Sequence, residues 1–361
     1  MKFTINTEKL KEMVSRAIKG AGNNKLLPIT GLMNIEVKDG KLILVTTDAT
    51  NYLYIIEDKF IADDCSIVVD ANTFSKLVSK MTCESVTLSL REDLQTLEVS
   101  GNGNYKIELP LDENGQLIKY PDPLKDRSID TDISFNRSTA QVVLETIKPA
   151  LATTLENPCY TGYYMGESIL ATDTYKIASL NVKMFDAPLL ISPETFDLLA
   201  VMNAEKINVK VESDTIIYST PDCIIVGKVM DCIEDYAHEA ITNLVNEEFI
   251  SHCTVSKTEL LQMLDRLMIF VGPYDKNAVY LTFTNMGLQV SSKSSSGVEV
   301  LKYIESSDFR DYTCAIDIQM LTQEVKAIQN DVIDIYYGNE MSIKMKDGNV
   351  TIVVALLQDE E

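Results

Sequence analysis

The chain has 361 residues, with 32 Lys and Arg against 54 Asp and Glu, a net charge of −22 and a pI near 4.5. At roughly 150 residues per domain this length calls for two or three domains with separate cores, which excludes a single small domain. A hydrophobic content of 45% with 24% charged residues excludes disorder as a description of the whole chain.

The first predicted element is a strand that runs into a helix, Phe3-Thr-Ile-Asn-Thr-Glu-Lys-Leu10, with Asn6 as its natural N-cap. Over Thr7 to Lys19 the helical stripe Leu10, Met13, Val14, Ala17 and Ile18 is apolar, leaving Lys9, Arg16 and Lys19 with Glu12 on the polar side. The turn Asp39-Gly40 precedes a strand at Leu42 to Asp48, and Ser66 to Asp70 runs into a helix from Asn72 to Met81. There Phe74, Leu77, Val78 and Met81 face the core, while Lys76 and Lys80 stand together outside. Like charges at i and i+4 repel by a few tenths of a kcal/mol, and an anionic partner would relieve them. Strand material follows from Val86 to Leu111, with Gly101-x-Gly103 and Asn114-Gly115 as turns.

The same order then recurs. Ile133-Ser-Phe-Asn-Arg-Ser-Thr-Ala140 leads into a helix from Arg137 to Lys148, Ser168 to Asp173 is a strand, Leu189 to Ser192 enters a helix from Pro193 to Asn203, and Ile207 to Val229 is strand material. In the third copy the blocks are Cys253 to Leu260 with a helix from Ser256 to Ile269, Leu288 to Lys293, Cys314 to Asp317 with a helix from Ile318 to Ile328, and Ile333 to Leu357 around Asp347-Gly348. Four ordered blocks in three copies indicate duplication. Breaks fall at Tyr120 to Asp132, which is rich in Asp and Pro, and in the acidic stretch Asp231 to Glu248. The expected domains are 1–124, 125–245 and 246–361. Two helices and antiparallel strands in each give an α+β class.

The seven cysteines are scattered without a C-x-x-C pair and read as buried reduced thiols. Two histidines, His238 and His252, lack helical spacing to a second ligand, so neither a zinc site nor a histidine triad is indicated, and no metal or cofactor is expected. The acidic runs Asp63-Asp64 and Glu92-Asp93 lack the spacing of a calcium loop or a paired base. Met13, Met81, Met202 and Met263 lie on core stripes. Without a catalytic constellation, an enzyme is not expected. Charges near the start of the chain leave no signal-peptide core, and the run Ile352 to Leu357 is too short to span a bilayer, so a cytoplasmic, non-membrane protein is expected. Overall acidity would repel nucleic acid if it were evenly spread. The six helical segments are together slightly basic, so the acidity lies elsewhere and a local polyanion site is compatible with it.

The opening Met1-Lys2-Phe3-Thr4, the segments Leu27-Pro-Ile-Thr-Gly31 and Asn157-Pro-Cys-Tyr-Thr-Gly162, and the strand end Thr172-Asp173 make the whole chain resemble the bacterial-type DNA polymerase III β sliding clamps. The resemblance implies three clamp domains per chain and a homodimeric six-domain ring around double-stranded DNA, without sequence specificity. It also implies loading by a separate ATP-dependent clamp loader and tethering of the replicative DNA polymerase. Interface positions implied are Tyr105 and Ile107 on one side and Ile269 and Phe270 on the other. Implied DNA contacts are Lys9, Arg16, Lys19, Lys76, Lys80, Arg137 and Lys148 from helices, with Lys25 and Tyr160 from loops.

Clamp-binding-motif peptides of partner proteins would enter a pocket at Gly162, Thr172, Thr174, Tyr175, Lys176, Ile177, Glu234, His238, Val353, Val354 and Leu356. Departures from the family are Thr174-Tyr-Lys-Ile177 in place of Gly-His-Arg-Leu, Glu234 and His238 in place of Pro and Arg, and the ending Ala355-Leu-Leu-Gln358 followed by Asp359-Glu-Glu361. They imply altered peptide specificity, with acidic peptides disfavoured. The competing reading is a clamp-fold interaction hub or decoy without a DNA-sliding role. A carboxylate-based hydrolase is a more remote alternative.

Overall fold

The computed structural model describes residues 2–91, 95–125, 127–293, 296–307 and 310–358; the acidic pair Glu92-Asp93 and the tail Asp359–Glu361 lie outside them. The chain divides into two compact units, Met1–Ala140 with Glu194–Val229, and Gln141–Pro193 with Met230–Glu361.

The first unit holds an eight-stranded sheet in the order Cys65–Asp70, Leu32–Lys38, Lys41–Thr47, Tyr52–Glu57, Cys223–Lys228, Thr215–Thr220, Lys206–Glu212 and Ser134–Asn136. A seam near its middle pairs Tyr52 with Val226 through to Ile55 with Cys223. The second unit repeats this arrangement: Leu189–Ile191, Tyr163–Met165, Ile169–Thr172 and Lys176–Leu180 join Val350–Ala355, Ser342–Asp347, Val332–Tyr337 and Ser251–Ser256, with Glu305–Ser307 beyond. Its seam pairs Lys176 with Val354 through to Leu180 with Val350.

Each unit also has one four-stranded sheet. That of the first is Lys2–Asn6, Ser85–Leu90, Thr96–Ser100 and Asn104–Glu108; that of the second is Val298–Leu301, Gly287–Ser292, Ala278–Thr284 and Tyr312–Asp317. Each sequence repeat therefore supplies two blocks of four strands, and the closing strand of one block pairs with the closing strand of a block from the next repeat. That rule is satisfied at two seams and leaves two strands over, Asn104–Glu108 and Val298–Leu301, both ending their sheets.

Seven helices punctuate the described chain: α1 Thr7–Ala17, α2 Ala71–Ser79, α3 Arg137–Val142, α4 Pro193–Asp197, α5 His238–Asn246, α6 Lys257–Leu267 and α7 Ile318–Ala327. Asn6 Oδ1 accepts the amides of Glu8 and Lys9 at 3.0 and 3.2 Å, so the predicted cap opens α1. Asp70 and Asp317 cap α2 and α7 in the same way. The stripe residues Leu10, Met13, Val14, Ala17, Phe74, Val78 and Met81 are buried. Among the described residues no disulfide forms; Cys159, Cys223, Cys253 and Cys314 are buried, whereas Cys65, Cys83 and Cys232 are only half-buried.

Three sequence expectations change. The helix predicted to Lys148 leaves α-geometry after Val142, passing through a wider turn at Val143–Ile147 and a 3-10 turn at Lys148–Ala150. Pro149 cannot donate to a helical ladder and disfavours helix in the residue before it. The helix predicted from Pro193 to Asn203 is α-helical only to Asp197 and then 3-10 through Val201. The acidic stretch read as a break contains α5, whose Ile241, Leu244 and Val245 have helical spacing and whose Ile241 is buried.

Candidate functional site

The strand end Ile169–Thr172 and the strand Lys176–Leu180 are joined by a turn stitched by its own side chains. Asp173 Oδ1 accepts the amides of Tyr175 and Lys176, both at 2.9 Å, and Thr172 Oγ1 donates to the Lys176 carbonyl at 2.8 Å. The chain reverses through Thr174 at φ +81°, a conformation that costs a β-branched residue strain and that glycine adopts freely. Thr174 stands where the resemblance leads one to expect Gly.

Register separates the expected pocket residues onto two faces. Thr172 pairs with Ile177 and Ile177 with Val353, placing these three on one face. Lys176 and Val354 are paired with each other on the opposite face, because successive strand residues alternate. On the first face Ile177 and Val353 pack with Cys159, Tyr164, Leu170, Leu190, Tyr236 and Ile241. Tyr164 stacks on Tyr236 at 5.1 Å, and the imidazole of His238 stacks on Tyr164 at 5.4 Å. Glu234, Thr174 and Tyr175 are exposed. A Cβ at Gly162 would lie 2.4 Å from Met230 Sδ, near the end of a flexible side chain, and 3.2 Å from the Ile191 carbonyl oxygen. Leu356 is buried, its amide donating to the Met341 carbonyl.

On the second face Lys176 is 5% exposed, and its ammonium donates to the Pro149 carbonyl at 2.6 Å and Gln323 Oε1 at 2.8 Å. It also lies 3.0 Å from Glu324 Oε1, on a carboxylate with no exposure. Burial pushes the Glu324 carboxyl above its ordinary range despite the opposing Lys176 charge. Beside this pair opens a cleft of about 410 Å³ lined by Leu151, Asn157, Tyr160, Thr174, Tyr175 and Gln323, among others. The positions expected for the pocket thus divide between this cleft, which Thr174, Tyr175 and Lys176 line, and the apolar cluster that holds Ile177 and Val353 against Tyr236 and Ile241. Sequence reasoning missed Tyr164, Tyr236, Ile241 and Glu324. The signal for the last was a glutamate three residues after Leu321 on the apolar stripe of α7.

The expected DNA contacts fall into two groups. Lys19, Lys25, Lys76, Lys80 and Arg137 are exposed and form no ion pair among the described residues. Lys9 instead bonds Glu57 at 2.8 Å, which raises its pKa, and Lys148 is half-buried with a partner. Arg16 is corrected to an internal role: its guanidinium meets Asp222 at 2.8 Å and Glu12 at 3.3 Å and donates to the Val201 carbonyl at 3.0 Å. Burial opposes ionisation of Asp222, but bonds from Arg16 and Thr220 outweigh it and hold the carboxyl below its usual range. Tyr160, in the short turn Pro158–Thr161, is half-buried and edge-on to Tyr236 at 5.2 Å.

Of the interface positions, Tyr105, Ile269 and Phe270 are exposed. Ile107 is corrected to a core residue, 7% exposed: it lies on the same strand face as Tyr105 but is covered where it pairs with the buried Leu97. Phe270 lies against the backbone of Gly297, where a Cβ would approach within 2.8 Å, and so borders the outer strand Val298–Leu301. Among the described residues no group of three His, Cys, Asp or Glu could hold a metal ion, and no helix is long and apolar enough to cross a membrane.

Two closing-strand seams, two unpaired closing strands and helices shared out over three repeats define a sliding-clamp fold. Solved clamps bear this out: the chain superposes on the DNA polymerase sliding clamp of Bacillus subtilis with a TM-score of 0.83 at 17% identity, covering 100% of both chains. It superposes on DNA polymerase III subunit beta from Borrelia burgdorferi with a TM-score of 0.85 at 16% identity, again covering 100% of both. Residues 1–116 match the family of the DNA polymerase III beta subunit, N-terminal domain. The beta sliding clamp of Staphylococcus aureus is 21% identical over 363 residues, covering 94% of each chain. The chain is thus similar along its whole length to bacterial beta sliding clamps, and over residues 1–116 to the N-terminal domain of the DNA polymerase III beta subunit.

Proposed function

We propose that this protein is a DNA sliding clamp: a non-enzymatic processivity factor that encircles duplex DNA and tethers a replicative polymerase and other clamp-binding proteins. The observation that carries the reading is the pair of leftover edges. Asn104–Glu108 and Val298–Leu301 are the closing strands that the repeat rule leaves unpaired. An exposed strand edge is a template for another chain. Pairing of one protomer's first edge with its partner's second continues the rule and closes three repeats into a six-domain homodimeric ring. Exposed Tyr105 flanks one edge, and Ile269, Phe270, Val298 and Val300 flank the other.

Within that reading the domains are 1–124, 125–245 and 246–361. Lys19, Lys76, Lys80 and Arg137, with Lys25 from its loop, are the free cations for phosphate. Weak contacts suffice, because a closed ring is retained topologically. A cognate ATP-dependent loader opens the ring, partner peptides enter the cleft beside Thr174 and Tyr175, and the protein works in the cytoplasm without a cofactor.

The test is retention on nicked circular DNA after loading with the cognate loader and ATP, followed by linearisation. Release from linear ends with retention on circles is expected, and Phe270→Asp should abolish retention by giving monomers. Equal behaviour on circles and linear DNA would overturn the ring and leave the interaction-hub reading.

A further inference from the structure

A second cleft, of about 700 Å³, lies wholly in the second unit. Its floor is the sheet face carrying Ser179 and Thr351, and its wall is α5 with residues 246–249. Lys344 and Lys346 are two apart on Ser342–Asp347, so both project into it on the same face, about 7 Å apart along the strand.

Lys344 is 3% exposed. Its ammonium donates to the Glu247 carbonyl and lies 4.9 Å from the centre of the Phe249 ring. Lys346 lies 4.9 Å from the Tyr336 ring. Neither lysine forms an ion pair among the described residues, in a chain where acids outnumber bases 54 to 32. Of the glutamates at the lining, the Glu247 carboxylate accepts from Asn339 Nδ2 at 2.7 Å, and Glu167 pairs with Lys183 at 2.7 Å. Glu248 remains at the lining. Burial, and then the charge of Lys346, lowers the pKa of Lys344, with the charges of Glu247 and Glu248 acting in the opposite sense, and Asp334 stands opposite Lys346 in the sheet.

We propose that this cleft binds a phosphorylated small molecule of mononucleotide size, its phosphoryl oxygens seated between Lys344 and Lys346. A dianionic group with three acceptor oxygens satisfies two ammonium groups at once, which a single neutral ligand atom does not. Ser179, Asn181, Thr242 and Thr351 line the rest of the cleft with groups suited to sugar hydroxyls. The volume falls in the range of small-ligand sites, roughly 300–1,000 Å³. This site lies apart from the cleft beside Thr174 and is independent of ring closure.

Calorimetric titration of the full chain at low salt with a nucleoside monophosphate, inorganic phosphate and the unphosphorylated nucleoside tests it. The monophosphate should bind, phosphate should bind more weakly or equally, and the nucleoside should give no heat. Lys346→Glu, at an exposed position, should lower affinity at least tenfold with an unchanged melting temperature. Lys344→Met should do the same, its melting temperature measured alongside. Absence of binding by both phosphates at millimolar concentration, nucleoside binding as tight as the monophosphate, or affinity unchanged in Lys346→Glu would overturn the proposal.

Discussion

Thr47–Asn51 in the first unit and Thr172–Lys176 in the second are the same turn built twice. In each, the leading threonine hydroxyl donates to the carbonyl four residues on, at 2.6 and 2.8 Å, and an aspartate gathers two following amides. Each also reverses through a non-glycine residue, Ala49 at φ +86° and Thr174 at φ +81°. They part at the last residue. Asn51, 1% exposed, stays neutral and is bonded by Asp48 at 2.9 Å and by Thr195 at 2.6 Å. Lys176 is charged and must find a buried carboxylate, Glu324, together with two acceptors. Backbone geometry therefore survives duplication because it depends on local bonds, while the buried terminus is free to become a neutral structural bridge in one copy and an ion pair beside a cleft in the other.

The sharpest way to break this comparison is to remove each terminus. Lys176→Ala strands the Glu324 carboxylate without its cation and should lower stability by about 3–5 kcal/mol. Asn51→Ala removes the hydrogen bonds to Asp48 and Thr195 without stranding a buried ion and should lose only about 1–3 kcal/mol. Urea unfolding of the two variants checks the order, and equal losses would remove the distinction.

The second difference is one of pH. The Glu324 carboxyl is raised in the folded state, so the native chain binds more protons than the unfolded chain between the two pKa values. Stability contributed at this site therefore falls as pH rises from the ordinary carboxylate range through the raised folded value. Relative to Glu324→Gln, the wild type should be most stable at the acid end and lose that advantage on going toward neutral pH. A pH series of unfolding midpoints checks this; a constant difference between the two proteins contradicts it.

The smallest effects lie at the reversals. Thr174→Gly should raise stability by about 1 kcal/mol, because relief of a β-branched residue at positive φ exceeds the extra entropy of an unfolded glycine. Ala49→Gly should gain less, since alanine has no branch to strain. Thermal unfolding of the two variants side by side reads the difference, and a larger gain at position 49 would show that branching is not the source of strain.

Much of the architecture was legible in local pattern. Asn6 before an apolar stripe announced α1, Asp39-Gly40 and Asp347-Gly348 announced hairpins, and the order of four blocks announced the triplication. These signals are local: a cap, a turn or a stripe is decided by neighbours within a few residues. The acidity of residues 231–248 concealed α5, because high charge masked the helical spacing of Ile241 and Val245.

The site was less legible for the same physical reason. Lys176 and Ile177 are adjacent in sequence, yet strand alternation sends one to Glu324 and the other to Tyr236. Arg16 looked like a free surface cation on the polar side of α1 until folding brought Asp222 and the Val201 carbonyl to it. The sequence by itself determined the repeats, the strands and helices, and the caps, since these follow from short-range bonding and periodicity. Only the tertiary structure decided which cations remain free, which carboxylate is buried beneath the cleft, and which two closing strands end their sheets among the described residues, because each depends on partners far apart in the chain.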